Sequence, residues 1–291
     1  MLRAKVGEIA DARKPEEGAL HHPRPPLGIS APLRPKVMKL LVLLTQIGFG
    51  VLLVGGWELA TRSGVIDPQL LPPPSTVLLT LGDLMGNVAF LHECSDTVVR
   101  VLAAFIIGAP IALAVGFMMG ENIEVGKTLA PLVNLVLAVP QSIFLPVFVL
   151  VFGLGFTEKL MFGITHVFFV VAVSTMAAVR EVPHALVVAA RAFGAGKLRI
   201  YRSIYLPAMA PQVMTGLRLG MIFNIIGILL AEMYASRTGL GVLLLRWGEG
   251  YVVDKLMAAT VLISLATILM NEAMRIWEAR VGRWRASALA S

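Results

Sequence analysis

Three ionisable side chains lie inside long apolar stretches of this chain and are the first candidates for function: His166, Arg218 and Glu232. A charged group within hydrocarbon costs several kcal/mol unless it is paired or meets water, so such residues often mark the path of a transported ion or solute. Structural explanations stay open for each of them. Arg218 could extend toward the membrane interface, and His166 could be a packing residue. Glu232 could cap its helix, pair with Arg237 or face a mouth of the pathway.

A second set of candidates is uncharged and includes a proline. Pro131, Pro140 and Pro146 lie in one apolar stretch, and each is expected to free a backbone carbonyl and bend the helix. In lipid such a break is tolerated only where protein or a water-filled cavity faces it, so this stretch is a candidate pathway lining. Interhelical hydrogen bonding explains most polar residues in membrane helices, and we expect one or two of this set to line a pathway. The set is Asn134, Pro140, Gln141, Ser142 and Asn224.

Residue patterns typical of catalysis are not found. Two fragments resemble a phosphate-binding loop, at residues 126–128 and 196–197, but Glu121 stands where the first fragment needs a glycine, and Leu198 replaces the Ser or Thr of the second. The single cysteine, Cys94, excludes an internal disulfide and a cysteine metal cluster. We therefore expect no catalytic residue, no metal and no cofactor on this chain, with energy supplied by another protein.

Composition indicates that the solvent of this chain is the lipid bilayer. Of 291 residues, 57% are hydrophobic and 15% are charged, and the mean hydropathy is +0.81. A membrane helix needs about 20 apolar residues, and six stretches reach that length, which predicts an all-α polytopic membrane protein. The net charge of +7 does not indicate nucleic-acid binding, because Lys and Arg flank apolar stretches without interleaved aromatic residues. The predicted spans are 37–60, 97–120, 128–153, 160–179, 211–235 and 256–276.

The distribution of Lys and Arg predicts the orientation of these spans. Eighteen of these residues lie in the N-terminal segment, the 121–127 turn, the 180–210 loop and the C-terminal segment, whereas six lie in the connections on the other side. Basic loops stay in the cytoplasm, so we expect both termini and the 180–210 loop there. The Pro-rich stretch 1–36 is predicted to be a poorly ordered cytoplasmic tail, residues 37–280 a permease domain, and residues 281–291 a second tail.

The segment 183–207 is polar where its surroundings are apolar, and its pattern predicts two short helices. Gly194 and Gly196 allow a sharp turn between them, and Pro207 ends the second. An amphipathic helix outside the membrane needs a partner for its apolar face, which could be the membrane surface or a groove on another protein. The residues predicted to form that face are Leu186, Ala189, Ala190 and Phe193.

This segment resembles the signature loop of the membrane-spanning permeases of binding-protein-dependent ATP-binding-cassette importers. That signature reads Glu-Ala-Ala, three residues, Gly, nine residues, Ile, one residue, Leu-Pro. Six of its seven specified positions are matched, and Val188 stands where the family has glutamate. The matching residues are Ala189, Ala190, Gly194, Ile204, Leu206 and Pro207.

The resemblance covers about residues 40–280 and is greatest to the sulfonate, nitrate and taurine branch, through LLPPPSTV, TVVRVLAAF, VPQSIFLPVFVLVFGLG, TGLRLG and GLGVLL. It implies a type I importer permease in a bacterial cytoplasmic membrane, paired with a second copy of itself. It also implies two cytoplasmic subunits that carry ATP and magnesium, and an extracytoplasmic binding protein that delivers a small, often anionic, solute. The residues implied to dock on the ATPase are Leu186, Ala189, Ala190, Arg191, Phe193, Gly194, Ala195, Ile204, Leu206 and Pro207.

An ion-coupled secondary transporter that works without an ATPase is the alternative. In that case His166 and Glu232 would be proton sites, and inverted hydropathy repeats would be expected. The sequence shows no clear repeat of that kind.

Overall fold

The computed structural model describes the backbone of residues 35–288 and the side chains of residue 38 and residues 41–278. The predicted N-terminal tail lies outside the described residues, apart from its last two positions, and residues 289–291 lie outside them as well. The chain divides into two compact units, Met1–Leu53 and Val54–Ser291.

The described residues form helices joined by short connections, without a strand, which confirms the predicted all-α class. Five helical segments are long and apolar enough to cross a membrane: Leu41–Arg62, Val88–Glu121, Phe156–Arg180, Lys197–Ala235 and Val253–Glu278. The helices are α1 (Pro35–Arg62), α2 (Pro74–Met85), α3 (Val88–Glu121), α4 (Ile123–Ala138), α5 (Leu145–Phe152), α6 (Phe156–Arg180), α7 (His184–Ala192), α8 (Lys197–Ile200), α9 (Leu206–Ala235), α10 (Leu240–Glu249) and α11 (Val253–Ala288).

The predicted span 128–153 is broken in the structure. Helix α4 meets the segment Gln141–Phe152, which is a short 3-10 turn (Gln141–Phe144) followed by α5, at an angle of 89°, and the two make one further span if they are taken together. Pro140 directly precedes that turn, as the proline pattern predicts. The other two prolines do not break the helix. Pro131 lies inside α4, and Pro146 lies in the first turn of α5, where the missing N–H has no intrahelical partner to lose.

Helices α3, α6 and α9 form the core, and they approach each other closely because glycines lie at their contacts. A Cβ atom on Gly116 of α3 would overlap the backbone carbonyl of Ala172 on α6, and one on Gly220 of α9 would overlap Val171. Small residues at helix contacts are how membrane helices gain packing, since lipid supplies no hydrophobic force between them. The core residues of this contact include Ala109, Ala112, Val167, Val171, Ala172, Val213, Met214 and Leu217.

The bundle has two distinct ends. The first, called here the loop end, contains the end of α3, the end of α6, helices α7 and α8 and the start of α9. The second, called the far end, contains the start of α3, the start of α6, the end of α9 and helix α10. Functional candidates lie at both ends.

Replacement of Gly116 by alanine tests the close approach of α3 and α6. We expect Gly116→Ala to lower the apparent melting temperature of the purified chain in detergent, because the added methyl group meets backbone that cannot move aside; overpacking of this kind costs about 1–3 kcal/mol. The matched control is Gly82→Ala in α2, where nothing lies within 4 Å of the new Cβ and helix propensity favours alanine. Equal melting temperatures for the two variants would contradict the packing described.

Candidate functional site

The turn between α7 and α8 is set by Gly194. Its φ of +77° lies in the left-handed region that favours glycine. The N–H of Gly194 donates to the carbonyl of Arg191 at 2.9 Å, and the N–H of Ala195 donates to that of Ala190 at 3.0 Å. These two bonds form a Schellman motif that ends α7. The glycine of the signature is thus explained by backbone conformation.

The segment 183–207 presents an apolar surface outward while part of it packs inward. Ala190 and Ala195 pack against a cluster that contains Val187 and Ile200. The prediction that Ala190 shares one face with Leu186, Ala189 and Phe193 is therefore wrong in detail, because the chain turns at Gly194 and Ala190 faces that turn. The remaining three are exposed, and Phe193 is 92% exposed. Of the other predicted docking residues, Arg191, Gly194 and Leu206 are exposed, and Ala195, Ile204 and Pro207 are partly buried.

Tyrosines that the sequence did not single out attach this segment to α3. The hydroxyl of Tyr201 donates to Glu121 Oε1 at 2.5 Å. The rings of Tyr201 and Tyr205 meet the ring of Phe117 edge-on, with centroids 5.6 and 5.7 Å away. The segment Tyr201–Tyr205, which joins α8 to α9, is therefore packed against the end of α3.

At the far end, Glu232 is a fully buried carboxylate whose oxygens are all engaged. It accepts bonds from Arg100 Nη1 at 2.5 Å, from the Thr97 hydroxyl at 2.8 Å and from the N–H of Gly241 at 3.0 Å. The possibility that Glu232 pairs with Arg237 is wrong, because α9 ends at Ala235 and the side chain of Glu232 turns toward α3 instead.

Arg100 connects this carboxylate to the segment after α9. Its Nη2 donates to Asp96 Oδ2 at 3.2 Å and to the hydroxyl of Thr238 at 2.7 Å, and its Nη1 also donates to the carbonyl of Thr238 at 3.0 Å. The N–H of Gly239 donates to Glu93. The start of α3 thereby holds the connection between α9 and α10 in place.

A second buried ion pair lies at the start of α6. Glu158 is fully buried and Lys159 is 2% exposed. Lys159 Nζ donates to Glu158 Oε2 at 3.1 Å, to the carbonyl of Gly155 at 2.9 Å and to that of Ala235 at 2.8 Å. The carbonyl of Ala235 belongs to the negative end of α9, which a cation stabilises. Sequence reasoning placed Arg100 and Lys159 at the edges of spans and missed both pairs.

The two polar candidates at the contact of α6 and α9 have structural partners. His166 is buried, its Nδ1 lies 2.9 Å from the carbonyl of Phe162, and its ring packs against Gly227. Asn224 is fully buried and its Nδ2 donates to the carbonyl of Val101 at 2.8 Å. These contacts support the packing interpretation for His166, whereas Asn224 is satisfied only in part, because its Oδ1 is buried without a hydrogen-bond partner.

The remaining candidates lie elsewhere. Arg218 Nη1 is 3.4 Å from Glu278 Oε2 on α11, and both side chains are about a quarter exposed. At the break between α4 and α5, Gln141 Oε1 is buried without a hydrogen-bond partner. The exposed members of the set are Asn134, Pro140 and Ser142. The structure therefore does not bring the eight predicted pathway residues into one site within a single chain.

Among residues 35–288, no group of three His, Cys, Asp or Glu side chains is placed to hold a metal ion. The described sites consist of ion pairs, hydrogen bonds and apolar surfaces.

This fold is that of a polytopic permease of a type I ATP-binding-cassette importer. The chain superposes on a chain of the inward-facing MetNI methionine ABC transporter with a TM-score of 0.58, at 20% identity, over 66% of this chain and 95% of the other. Residues 103–285 match the family described as the binding-protein-dependent transport system inner membrane component. The chain belongs to that family.

Relatives with named solutes cover most of the chain. The taurine transport system permease protein TauC of Escherichia coli (strain K12) is 30% identical over 239 residues, which are 80% of this chain and 86% of TauC. The putative aliphatic sulfonates transport permease protein SsuC of Bacillus subtilis (strain 168) is 25% identical over 79% of this chain and 84% of SsuC. The formylaminopyrimidine transport permease protein ThiX of Halalkalibacterium halodurans is 25% identical over 81% of this chain and 94% of ThiX.

Removal of Arg100 tests the ion pair at the far end. We expect Arg100→Ala to lower the yield of folded protein severely, because it leaves a buried carboxylate without its cation, a loss of about 3–5 kcal/mol. The matched control is Arg246→Ala, since Arg246 is exposed at the same end. The yield is measured as the monodisperse fraction in size-exclusion chromatography. The double variant Arg100→Met, Glu232→Met should recover part of the loss, and an Arg100→Ala variant as stable as the control would contradict this account.

Proposed function

We propose that this chain forms the translocation pathway of an ATP-driven importer that carries a small anionic solute of the sulfonate, nitrate or taurine class across the bacterial cytoplasmic membrane. Family membership supports the importer. The names of TauC and SsuC support the solute class, although the relative named for formylaminopyrimidine shows that permeases of similar sequence are also assigned to a heterocycle.

The observation that carries the coupling role is the exposed apolar surface of α7. Leu186, Ala189 and Phe193 extend from a short helix whose opposite face is packed on its own chain. An aromatic ring that is 92% exposed at a sharp turn is an anchor of the kind that fills a pocket on a partner. Each of two cytoplasmic ATP-binding subunits would hold one such loop, and ATP with magnesium would bind on those subunits. Catalysis has no supporting residue on the permease itself.

The orientation follows from charge. Both termini and the 183–207 segment are proposed to face the cytoplasm, because Lys and Arg concentrate in the segments assigned to that side. An even number of crossings, six if α4 and α5 are counted as one, supports the proposal that both termini lie on one side. The far end then faces the extracytoplasmic binding protein.

A second copy of the chain is proposed to complete the pathway. Asn134 and Ser142 are exposed on one chain although they flank the break in the α4–α5 span. Irregular backbone at membrane depth is tolerated where protein or a water-filled cavity covers it, not where lipid does. A homodimer whose α4–α5 breaks face a shared central path would provide both.

The ion-coupled carrier has no observation in its favour. Glu232 is closed in by donors, and His166 is bonded to a carbonyl of its own helix. Neither side chain is placed to exchange a proton with water along a path.

Truncation of Phe193 tests the docking role of α7. We expect Phe193→Ala to abolish co-purification with the ATPase subunits and to reduce ATP-dependent uptake in proteoliposomes by about 10-fold or more, because loss of a central aromatic anchor costs roughly 2 kcal/mol or more. The matched control is Ile123→Ala, which removes an apolar side chain of 65% exposure at the same end of the bundle.

The melting temperature of both variants should equal that of the unmodified chain, since neither side chain is buried. Unchanged co-purification and uptake for Phe193→Ala would refute the docking role. Uptake by the permease alone, driven by a proton gradient without any ATPase, would support the carrier instead.

A further inference from the structure

A cavity of about 620 Å³ opens at the far end of the bundle. Its walls are the turn between α5 and α6, the start of α6 and the segment that joins α9 to α10. The charged side chains in this lining are all cationic, namely Arg100, Lys159 and Arg237. A volume of this size is within the range of small-molecule sites, roughly 300–1,000 Å³.

Two of the three cations are fixed in the wall by carboxylates that lie behind them. Arg100 is held by Glu232 and Asp96, and Lys159 is held by Glu158 and two backbone carbonyls. Both side chains are more than nine-tenths buried. These two cations are contacted by three carboxylates, so the pairs hold the side chains in the wall without adding net positive charge to it.

Arg237 differs from the other two cations. It is exposed at the rim, and no carboxylate of residues 41–278 lies within ion-pair distance of its guanidinium. Ser236 and Thr238, on either side of it, also line the cavity. An arginine presents several donors in a planar fork, which matches the oxygens of an oxyanion better than a single ammonium does.

The start of α6 also favours the binding of a negatively charged group. Gly155 precedes this 25-residue helix and lines the cavity with Phe156, and no side chain caps the first N–H groups. Such groups carry partial positive charge and accept an anion readily. This feature adds to the positive charge of Arg237 and would not define a site without it.

From this juxtaposition we infer that the far-end cavity is an anion subsite, in which Arg237 binds the oxyanion group of a small organic solute against the wall formed by Arg100 and Lys159. The inference rests on the proposed function, and it assigns to the permease itself a contact with the charged head group of the solute. Arg237 would meet the solute as it leaves the binding protein. A carboxylate of the binding protein is the other possible partner of Arg237, and the tests below separate the two.

The first test measures protection of Arg237 from phenylglyoxal in the assembled importer in lipid nanodiscs. The probe is ethanesulfonate, the neutral comparison is ethyl methyl sulfone of similar shape, and chloride keeps the ionic strength constant. Peptide mass spectrometry reads the modification of Arg237 and of the control Arg246, which is exposed on α10 outside the cavity. We expect ethanesulfonate to slow modification of Arg237 by about threefold once two thirds of the sites are occupied, with no effect of the sulfone and no change at Arg246.

Three results would overturn the inference. Arg237 could react at the same rate with and without ethanesulfonate, or the sulfone could protect it equally well. Protection could also appear only when the binding protein is added without any sulfonate, which would identify Arg237 as a protein contact.

The second test measures ATP-dependent uptake of radiolabelled taurine by the importer reconstituted with its binding protein. We expect Arg237→Gln to lower uptake about 10-fold, Arg237→Lys to retain an intermediate rate, and Arg246→Gln to leave it unchanged, as the loss of a charge-assisted bond predicts. The melting temperature should be the same in all four proteins, because Arg237 and Arg246 are both exposed. Uptake by Arg237→Gln equal to that of Arg246→Gln would overturn the inference.

Different results would contradict the proposed function and the proposed anion subsite. If the unmodified importer shows no ATP-dependent uptake of taurine, of ethanesulfonate or of nitrate, the proposed solute class fails, and the protection test still decides whether the cavity binds an oxyanion. If uptake is present but independent of Arg237, the importer stands and the subsite does not.

Discussion

The buried carboxylate of Glu232 is the interaction on which the far end of this protein depends. It joins three elements at one point: α9 carries it, α3 supplies Thr97 and Arg100, and α10 supplies the N–H of Gly241. A lone charge at this depth would be strongly unfavourable. The surrounding donors therefore specify a single register of α3 against α9, and the Glu158–Lys159 pair does the same for the start of α6 against the end of α9.

Close packing at glycines further restricts the arrangement of the core helices, in addition to the ion pairs. Gly116 and Gly220 allow α3 and α9 to approach α6 closely, so these helices have little freedom to slide past one another. Polar pairs fix the register, and glycine contacts fix the separation. The α4–α5 break lies outside this core, which is consistent with a role in lining a path between two copies.

How much of this was predictable from sequence differs between features. The all-α class and the broken span were readable, because apolar length and Pro140 act locally. The turn at Gly194 was also readable, since a glycine requirement is a property of backbone conformation. The partner of Glu232 could not be predicted from the sequence, because Arg100 is more than a hundred residues away and appeared to be an ordinary cation near the start of a span. The ion pair of Lys159 was missed for the same reason, since Lys159 also appeared to be an ordinary cation at the edge of a span. One signal was available in the sequence. Arg100 lies only a few residues inside one apolar stretch, and Glu232 lies without an obvious partner in another.

One long helix connects the two functional ends. Helix α3 has 34 residues, and at 1.5 Å per residue it is about 51 Å long, which exceeds the roughly 30 Å of membrane hydrocarbon. Its last residue, Glu121, accepts the bond from Tyr201 in the segment 183–207, and its first half carries Thr97 and Arg100. Pro110 lies inside α3 between these two contacts and removes one backbone hydrogen bond from the helix, so α3 would bend most readily between the segment 183–207 and the ion pair of Glu232.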